Sequence, residues 1–238
     1  MFFVLSAIIV FKSAPIEIYR ITMEGDSKMN KGSTKKAILD AALDLFSETG
    51  YGRVTVSQIA EAVGIKAPSL YKHYKSKQDI FNAILDEMER RYSEQAASMQ
   101  ISGSKAPADF GLYSGITEEH LILMGKNLFL YFLHDEYVCK FRKMLTIEQY
   151  HNKELAALYS KQYGDDPLSY QGAIFRLMAD NGFFREEDPD ITALHFYAPL
   201  YLLLNLCDCQ PQREPQALIL LEKHIHQFNR LYQIGGLD

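Results

Sequence analysis

The stretch that decides the fold is VTVSQIAEAVGIKAPSLYKHYKSKQDI, residues 54–80. Its first part predicts a short helix over residues 56–63. Thr55 and Gln58 have the spacing of a capping box, in which each side chain bonds to the backbone amide of the other residue. Gly64 follows, and glycine readily adopts the left-handed conformation that ends many helices. The pattern therefore predicts a helix with a defined start and a defined stop.

A second short helix is predicted over residues 68–74. Pro68 suits its first turn, because the missing N–H has no intrahelical partner there. Leu70 and Tyr74 lie four residues apart and are expected to face inward, while the small Ala60 allows the two helices to cross closely. This is the geometry of a helix-turn-helix, whose second helix enters the major groove of DNA. The residues expected to face outward are Ala67, Ser69, Tyr71, Lys72 and His73, followed by Lys75 and Lys77.

Helices are also predicted on both sides of this pair. Upstream, residues 33–49 carry an apolar stripe at helical spacing and are followed by Gly50. Downstream, Ser76 and Asp79 have capping-box spacing, so a further helix is predicted to begin at Lys77 and to continue to about residue 99. The upstream helix and the pair would form a three-helix domain.

Residues 35–85 resemble the DNA-binding domain of the tetracycline-repressor (TetR) family of bacterial regulators, through the segment AILDAALDLFSETGYGRVTVSQIAEAVGIKAPSLYKHYKSKQDIFNAIL. The resemblance implies two groups of DNA contacts. Positions that read bases or line the groove would be Ser57, Lys66, Ala67, Pro68, Ser69 and Tyr71. Positions that contact phosphates would be Thr55, Lys72, His73 and Lys77. Ala67 and Ser69 are smaller than the polar readers of some members, which shifts the expected base reading to Ser57, Lys66 and Tyr71.

The remainder of the chain predicts an all-α protein. The fold expected is an N-terminal three-helix helix-turn-helix domain (residues 31–78) and a C-terminal helical bundle for ligand binding and dimerisation (residues 79–238). Residues 101–115 contain glycine and proline and predict a loop. The predicted helices that follow are 117–133, 136–150, 153–163, 167–181, 189–207 and 214–234, with Gly164 and Gly182 ending two of them.

Aromatic and methionine side chains are dense in this C-terminal half. One interpretation is that they form the core of a helical bundle. The other is that some line a cavity for a small apolar or aromatic ligand, since bundles place such sites between facing helices. The candidate ligand-binding residues are Phe129, Phe132, Phe141, Met144 and Met178, and the candidate polar members are Asn127, Gln149, His151 and His195.

The last two predicted helices are candidates for a dimer interface. Residues 191–206 are apolar nearly all round, and an element with two apolar faces usually packs on two partners. Two such helices from each chain could form a four-helix interface, as the TetR resemblance implies, although packing within one chain is the alternative. A two-fold homodimer would place two recognition helices on successive major grooves of a near-palindromic DNA operator.

Charge and cysteine content agree with a protein that contacts DNA at one end. The net charge is −5, yet residues 31–80 hold eight Lys/Arg and five Asp/Glu, a balance of +3 that leaves −8 elsewhere. Three cysteines, Cys139, Cys207 and Cys209, are too few for a disulfide framework and suit a reducing cytoplasm. Neither the Cys207/Cys209 pair nor His224 and His226 have metal-ligand spacing. No catalytic motif is present, so neither an enzyme nor a metal or cofactor site is expected.

The first thirty residues form a predicted N-terminal extension. Residues 2–11, FFVLSAIIVF, are almost wholly apolar but span only ten residues, about half of what a membrane helix requires. A signal peptide would place positive charge before this segment. We favour a translation start at Met23 or Met29, and a membrane or partner anchor is the alternative.

These patterns predict a cytoplasmic, homodimeric transcriptional regulator, most simply a repressor that leaves its operator when a small-molecule effector of unknown class binds the C-terminal domain. The effector would act by shifting the helix that begins at Lys77. A transcriptional activator, a ligand-independent DNA-binding protein of the same fold and an enzyme fused to a DNA reader are the alternatives.

Overall fold

The computed structural model describes residues 31–234, and within them the chain folds into eleven α-helices. The predicted extension, residues 1–30, lies outside the described residues. Because the described residues contain helices and no strand, the all-α prediction is confirmed. The helices are α1 (Lys31–Thr49), α2 (Val56–Ala62), α3 (Ala67–Leu70), α4 (Lys77–Ser98), α5 (Ala106–Tyr113), α6 (Glu118–His134), α7 (Glu136–Glu148), α8 (Lys153–Ser160), α9 (Asp166–Asp180), α10 (Pro189–Cys209) and α11 (Glu214–Tyr232).

Helices α1 to α3 pack around a small apolar core, as predicted. Ile38, Phe46, Ile59 and Leu70 are fully buried and come from all three helices. Helix α4 closes this core with Ile80 and then runs on into the rest of the molecule. The buried residues of the N-terminal helices and of the C-terminal bundle belong to one continuous cluster. A rearrangement in the bundle can therefore reach the helix-turn-helix through packed side chains.

The loop prediction for residues 101–115 is wrong, because helix α5 occupies Ala106–Tyr113. Pro107 lies in the first helical turn, where its missing N–H costs nothing, and Gly111 lies inside the helix. Asp109 holds the preceding turn: its buried carboxylate accepts hydrogen bonds from the backbone N–H groups of Ser102 and Gly103 at 2.7 and 3.0 Å. Pro107 and Gly111 therefore lie within a helix and do not mark a loop.

The predicted interruption between residues 163 and 167 is also absent. A π-helical turn, Lys161–Asp165, joins α8 to α9 without a break, and Gly164 lies inside it. Pro167 has no N–H to donate to the carbonyl of Tyr163, four residues earlier. The Tyr197 hydroxyl of α10 donates to that carbonyl instead, at 2.8 Å. A side chain distant in sequence therefore satisfies the acceptor that the proline leaves open.

The C-terminal bundle packs α6, α9, α10 and α11 together, while α7 lies along α1 of the N-terminal domain. Arg142 of α7 is buried and forms a two-pronged ion pair with Asp208 of α10, at 2.6 and 2.7 Å. This buried ion pair connects α7 to α10 of the bundle, while side-chain packing connects α7 to α1. Across residues 31–234, no helix has the length and apolar character needed to cross a membrane.

Candidate nucleic-acid interface

The helix-turn-helix is built from the local interactions that the sequence predicts. The N–H of Thr55 donates to Gln58 Oε1 at 2.8 Å, and the N–H of Gln58 donates to Thr55 Oγ1 at 3.3 Å, which completes the capping box. Gly64 has φ +72°. In this conformation the chain reverses, and the N–H of Ile65 donates to the carbonyl of Ala60 at 2.9 Å. These bonds set the angle between α2 and α3.

Helix α3 is shorter than predicted and ends at Leu70 rather than Tyr74. After Leu70 the backbone tightens: the N–H groups of Lys72 and His73 donate to carbonyls three residues earlier, at 3.2 and 2.8 Å. Leu70 and Tyr74 are buried, as expected for the inward face. The tight turn keeps Tyr71, Lys72 and His73 together at the end of the helix.

The predicted DNA contacts fall into two groups by exposure. Tyr71 is 52% exposed, so its ring is accessible to a binding partner. The exposed members of the predicted set are Thr55, Ser57, Lys66, Pro68, Tyr71 and Lys72, and the half-buried members are Ala67, Ser69, His73 and Lys77. Ser57 of α2 and the residues of α3 thus share the surface of the helix pair.

Lys77 is directed into the domain rather than away from it. Its Nζ donates to the carbonyls of Tyr51 and Val54, at 2.8 and 2.9 Å, and lies 4.3 Å from the centroid of the Tyr51 ring. Partial burial lowers the pKa of Lys77, and the nearby carboxylate of Glu148 opposes that shift. A phosphate contact from Lys77 stays a prediction, and only the third N–H of the ammonium group would be available for it.

Glu148 is a residue of this region that the sequence analysis missed. It is the last residue of α7, yet its carboxylate accepts a hydrogen bond from the backbone N–H of Gly52 at 2.9 Å. The sequence offers one local sign of a close contact here, which is the pair of glycines, Gly50 and Gly52, on either side of Tyr51. Glu148 lies 96 positions from Gly52, so the sequence could not predict which residue makes the contact.

An apolar cavity lies in the C-terminal bundle, with a volume of about 60 Å³. It is lined by side chains of α5, α6, α9, α10 and α11 and of the segments beside them, and Asn229 and Gln233 are polar members of the lining. Of the predicted ligand-binding residues, Met178 lines it. Phe129, Phe132, Phe141 and Met144 are buried in the core elsewhere, and the predicted polar members Asn127, Gln149, His151 and His195 do not line it.

The last two helices, α10 and α11, present large apolar side chains to solvent. Leu202 of α10 is 59% exposed, and Leu194 lies two turns before it on the same helix. Ile219, Leu220 and Leu231 of α11 are exposed as well, while Leu221, Ile225 and Phe228 of the same helix are buried. Within residues 31–234, no group of three or more His, Cys, Asp or Glu side chains is placed to hold a metal ion.

Comparison with known proteins shows that this part of the chain is similar to bacterial transcriptional regulators. Residues 38–84 match the model of the bacterial regulatory proteins of the tetR family. The chain is 30% identical to the transcriptional regulator AcrR of Shigella flexneri over 114 residues, 45% of this chain and 53% of AcrR. It is 35% identical to the class D tetracycline repressor of Escherichia coli over 60 residues, 25% of this chain and 28% of that protein. The aligned part therefore spans about half of AcrR and less than a third of the tetracycline repressor.

A solved structure extends the similarity of fold to most of the chain. SmeT is the repressor of the Stenotrophomonas maltophilia multidrug efflux pump SmeDEF. Its complex with triclosan superposes with a TM-score of 0.59 at 21% identity, covering 86% of this chain and 93% of SmeT. At this identity the likeness establishes the fold of the C-terminal bundle and not its ligand.

Proposed function

Because this chain belongs to the TetR family of bacterial regulatory proteins, we propose that it is a DNA-binding transcriptional repressor that leaves its operator when a small molecule binds the C-terminal bundle. The observation that carries the proposal is the surface of the capped helix pair, where Lys66, Tyr71 and Lys72 are all exposed. Cationic side chains bind phosphates and release counterions, and an exposed aromatic ring can contact base edges.

Residue roles follow from exposure and side-chain chemistry. Ser57, Lys66 and Tyr71 would contact bases, with Ala67, Pro68 and Ser69 lining the groove. Thr55, Lys72 and His73 would contact phosphates. Residues 31–78 would bind DNA. Residues 79–238 would bind the effector and the second copy of the chain.

The second copy would dock on α10 and α11. Leu194 of α10 and Leu231 of α11 line one shallow surface pocket, and Leu202 lies two turns further along α10, so the two helices share an apolar surface that water solvates poorly. A two-fold axis through this surface would give a four-helix interface and would carry two recognition helices to successive major grooves. The operator would then be near-palindromic. Since the bacterial chromosome lies in the cytoplasm, the protein would act there.

The effector would enter the apolar cavity of the bundle. Its lining favours a small apolar or aromatic molecule that makes one or two hydrogen bonds, to Asn229 or Gln233. At about 60 Å³ the cavity is smaller than the roughly 150 Å³ that accommodates benzene. Binding would therefore require the surrounding helices to separate.

Such a separation is a means of release from DNA. Helices α6 and α11 approach closely at Gly125, where an added Cβ would lie 2.8 Å from Ile225 Cδ1. A ligand that forces them apart favours a different arrangement of the bundle, and α4 and α7 connect the bundle to the helix-turn-helix. The ligand shifts the equilibrium only by its difference in affinity for the two arrangements.

The first experiment selects duplexes from a random-sequence library with the full-length protein and then measures binding by gel shift. We expect Tyr71→Ala and Lys72→Ala to weaken binding at least tenfold. Lys105→Ala, which removes an exposed lysine of the bundle, is the matched control and should bind as the wild type does. If Tyr71→Ala and Lys72→Ala both bind DNA with wild-type affinity, this surface does not contact DNA.

A second experiment fixes the direction of regulation. A reporter fused to the promoter that carries the selected sequence should rise when the gene is deleted. A fall would identify an activator instead. Selection of no duplex by the wild-type protein would reject the DNA-binding proposal altogether.

A further inference from the structure

The connection between α1 and α2, residues 50–55, is held from two sides. From α4, Lys77 donates to the carbonyls of Tyr51 and Val54. From α7, Glu148 accepts from the N–H of Gly52. The connection ends at Thr55, the N-cap of α2, so its position fixes where α2 and then α3 begin. Two helices that reach the bundle therefore control the placement of the reading surface.

Glu148 occupies a costly place for a carboxylate. It is 4% exposed and lies at the C-terminal end of α7, where the helix dipole disfavours negative charge. A buried charge persists when hydrogen bonds and opposite charge offset its desolvation. The N–H of Gly52 supplies the hydrogen bond and the Lys77 ammonium supplies the charge. An apolar residue at position 148 could fill the space but could not accept the hydrogen bond from Gly52, so the carboxylate is needed for the contact itself.

Close packing around Gly50 leaves little room between the α1–α2 connection and the end of α7. Gly50 has φ +90°, and an added Cβ would lie 2.6 Å from Glu148 Oε1 and 3.2 Å from Ile147 Cγ2. The end of α7 thus sits directly on the connection. Further along, Lys140 of α7 is ion-paired with Asp44 of α1, which keeps α7 in register with the helix-turn-helix domain.

We propose that Glu148 is a positioning residue for DNA binding: its carboxylate fixes the α1–α2 connection, and with it α2 and α3, relative to α7 of the bundle. The inference rests on the proposed function, since it assigns to Glu148 the orientation of the proposed reading surface. It adds a second route between bundle and DNA beside α4. Because α7 is joined to α10 through Arg142 and Asp208, a shift in the bundle reaches Gly52 without passing along α4.

The contact is tested first in the free full-length protein by amide hydrogen exchange. We expect the N–H of Gly52 to exchange at least tenfold faster in Glu148→Ala, because the variant removes the acceptor of this N–H, and hydrogen bonds to a carboxylate are among the stronger ones in proteins. Glu148→Gln keeps an acceptor oxygen and should lie between the two. Glu154→Gln, which removes an exposed carboxylate of α8 near the same connection, should leave Gly52 unchanged.

The positioning role is tested with a duplex that the wild-type protein selects from a random library. Glu148→Ala should bind it at least tenfold more weakly, and Glu148→Gln should recover most of the loss. The slope of log K against log salt should stay the same in both, because Glu148 orients phosphate contacts without making any. A change caused by global unfolding would appear as a lower thermal midpoint of the bundle instead.

Two failures are distinguishable. If the wild type selects no duplex, the proposed function falls, and Gly52 exchange still decides whether Glu148 holds the connection. If the wild type selects a duplex that Glu148→Ala binds equally well, the DNA-binding proposal stands and the positioning role of Glu148 is wrong. Should Glu148→Ala fail to fold, Glu148→Leu, which fills the space without an acceptor oxygen, replaces it, and an unaltered Gly52 exchange rate in Glu148→Leu would overturn the inference.

Discussion

Gly50 and Gly64 both have positive φ, yet their surroundings differ. An added Cβ at Gly64 meets nothing within 4 Å, whereas at Gly50 it meets the Glu148 carboxylate and Ile147. Gly64→Ala should therefore cost only the left-handed strain, about 1–2 kcal/mol of unfolding free energy. Gly50→Ala should cost about 2–4 kcal/mol, because it also displaces Glu148 from Gly52. Urea unfolding of the two variants measures the difference, and equal losses would contradict the close packing at Gly50.

Lys77 and Lys72 are both predicted phosphate contacts, but the structure gives them different environments. Lys77→Met would remove two hydrogen bonds to backbone carbonyls and should lower the unfolding free energy by about 2 kcal/mol. Its effect on the salt dependence of DNA binding should be small. Lys72→Met, at an exposed site, should change stability by less than about 0.5 kcal/mol. It should instead reduce the salt slope by about one.

Urea unfolding and gel shifts at several salt concentrations separate these two roles. If Lys77→Met has wild-type stability and its slope of log K against log salt falls by about one, Lys77 does contact a phosphate.

The same two lysines show how much the sequence could predict. The charge run was visible, whereas the inward turn of one lysine depends on Tyr51 and Val54, more than twenty positions away.

Among the elements, those with local signals were predicted best. The caps at Thr55 and Ser76 and the turn at Gly64 each rest on bonds within five residues, and all three stand where the sequence placed them. The errors occurred where distant residues decide. Helix α5 and the π-helical turn depend on Tyr170 and Tyr197, whose hydroxyls satisfy groups far away in sequence. The cavity, too, is lined by five helices at once, so the apolar stripe of one helix could not predict it.

The π-helical turn carries a prediction at this scale. Tyr197→Phe would leave the buried carbonyl of Tyr163 without the hydroxyl that serves it, which should cost about 1–3 kcal/mol. Pro167→Ala would supply an N–H that can donate to the same carbonyl as α-helical geometry requires. In the Pro167→Ala background, Tyr197→Phe should therefore cost less.

A double-mutant cycle of the two changes, followed by thermal unfolding, measures this coupling. Tyr150→Phe, at an exposed tyrosine, is the control and should be neutral. Strict additivity of the two changes would mean that Tyr197 does not compensate for Pro167.

For the whole molecule, DNA binding and dimerisation should be linked. Each chain offers one helix-turn-helix, and a near-palindromic site is bound tightly only when two are joined at the correct spacing. If α10 and α11 form the interface, as we propose, an exposed residue of the single chain becomes buried in the dimer. Leu202, at 59% exposure, is the best candidate on α10.

Leu202→Glu would bury a carboxylate without a partner in the four-helix interface, at a cost of several kcal/mol. We expect the dimer to dissociate at micromolar concentration in sedimentation experiments and affinity for the selected duplex to fall at least a hundredfold. The helical circular dichroism of the monomer should persist. Leu123→Glu makes the same change on α6, at a leucine that is 49% exposed, and should leave a DNA-binding dimer. A Leu202→Glu protein that stays dimeric would place the interface on another surface, whereas a monomer with full affinity would separate DNA binding from dimerisation.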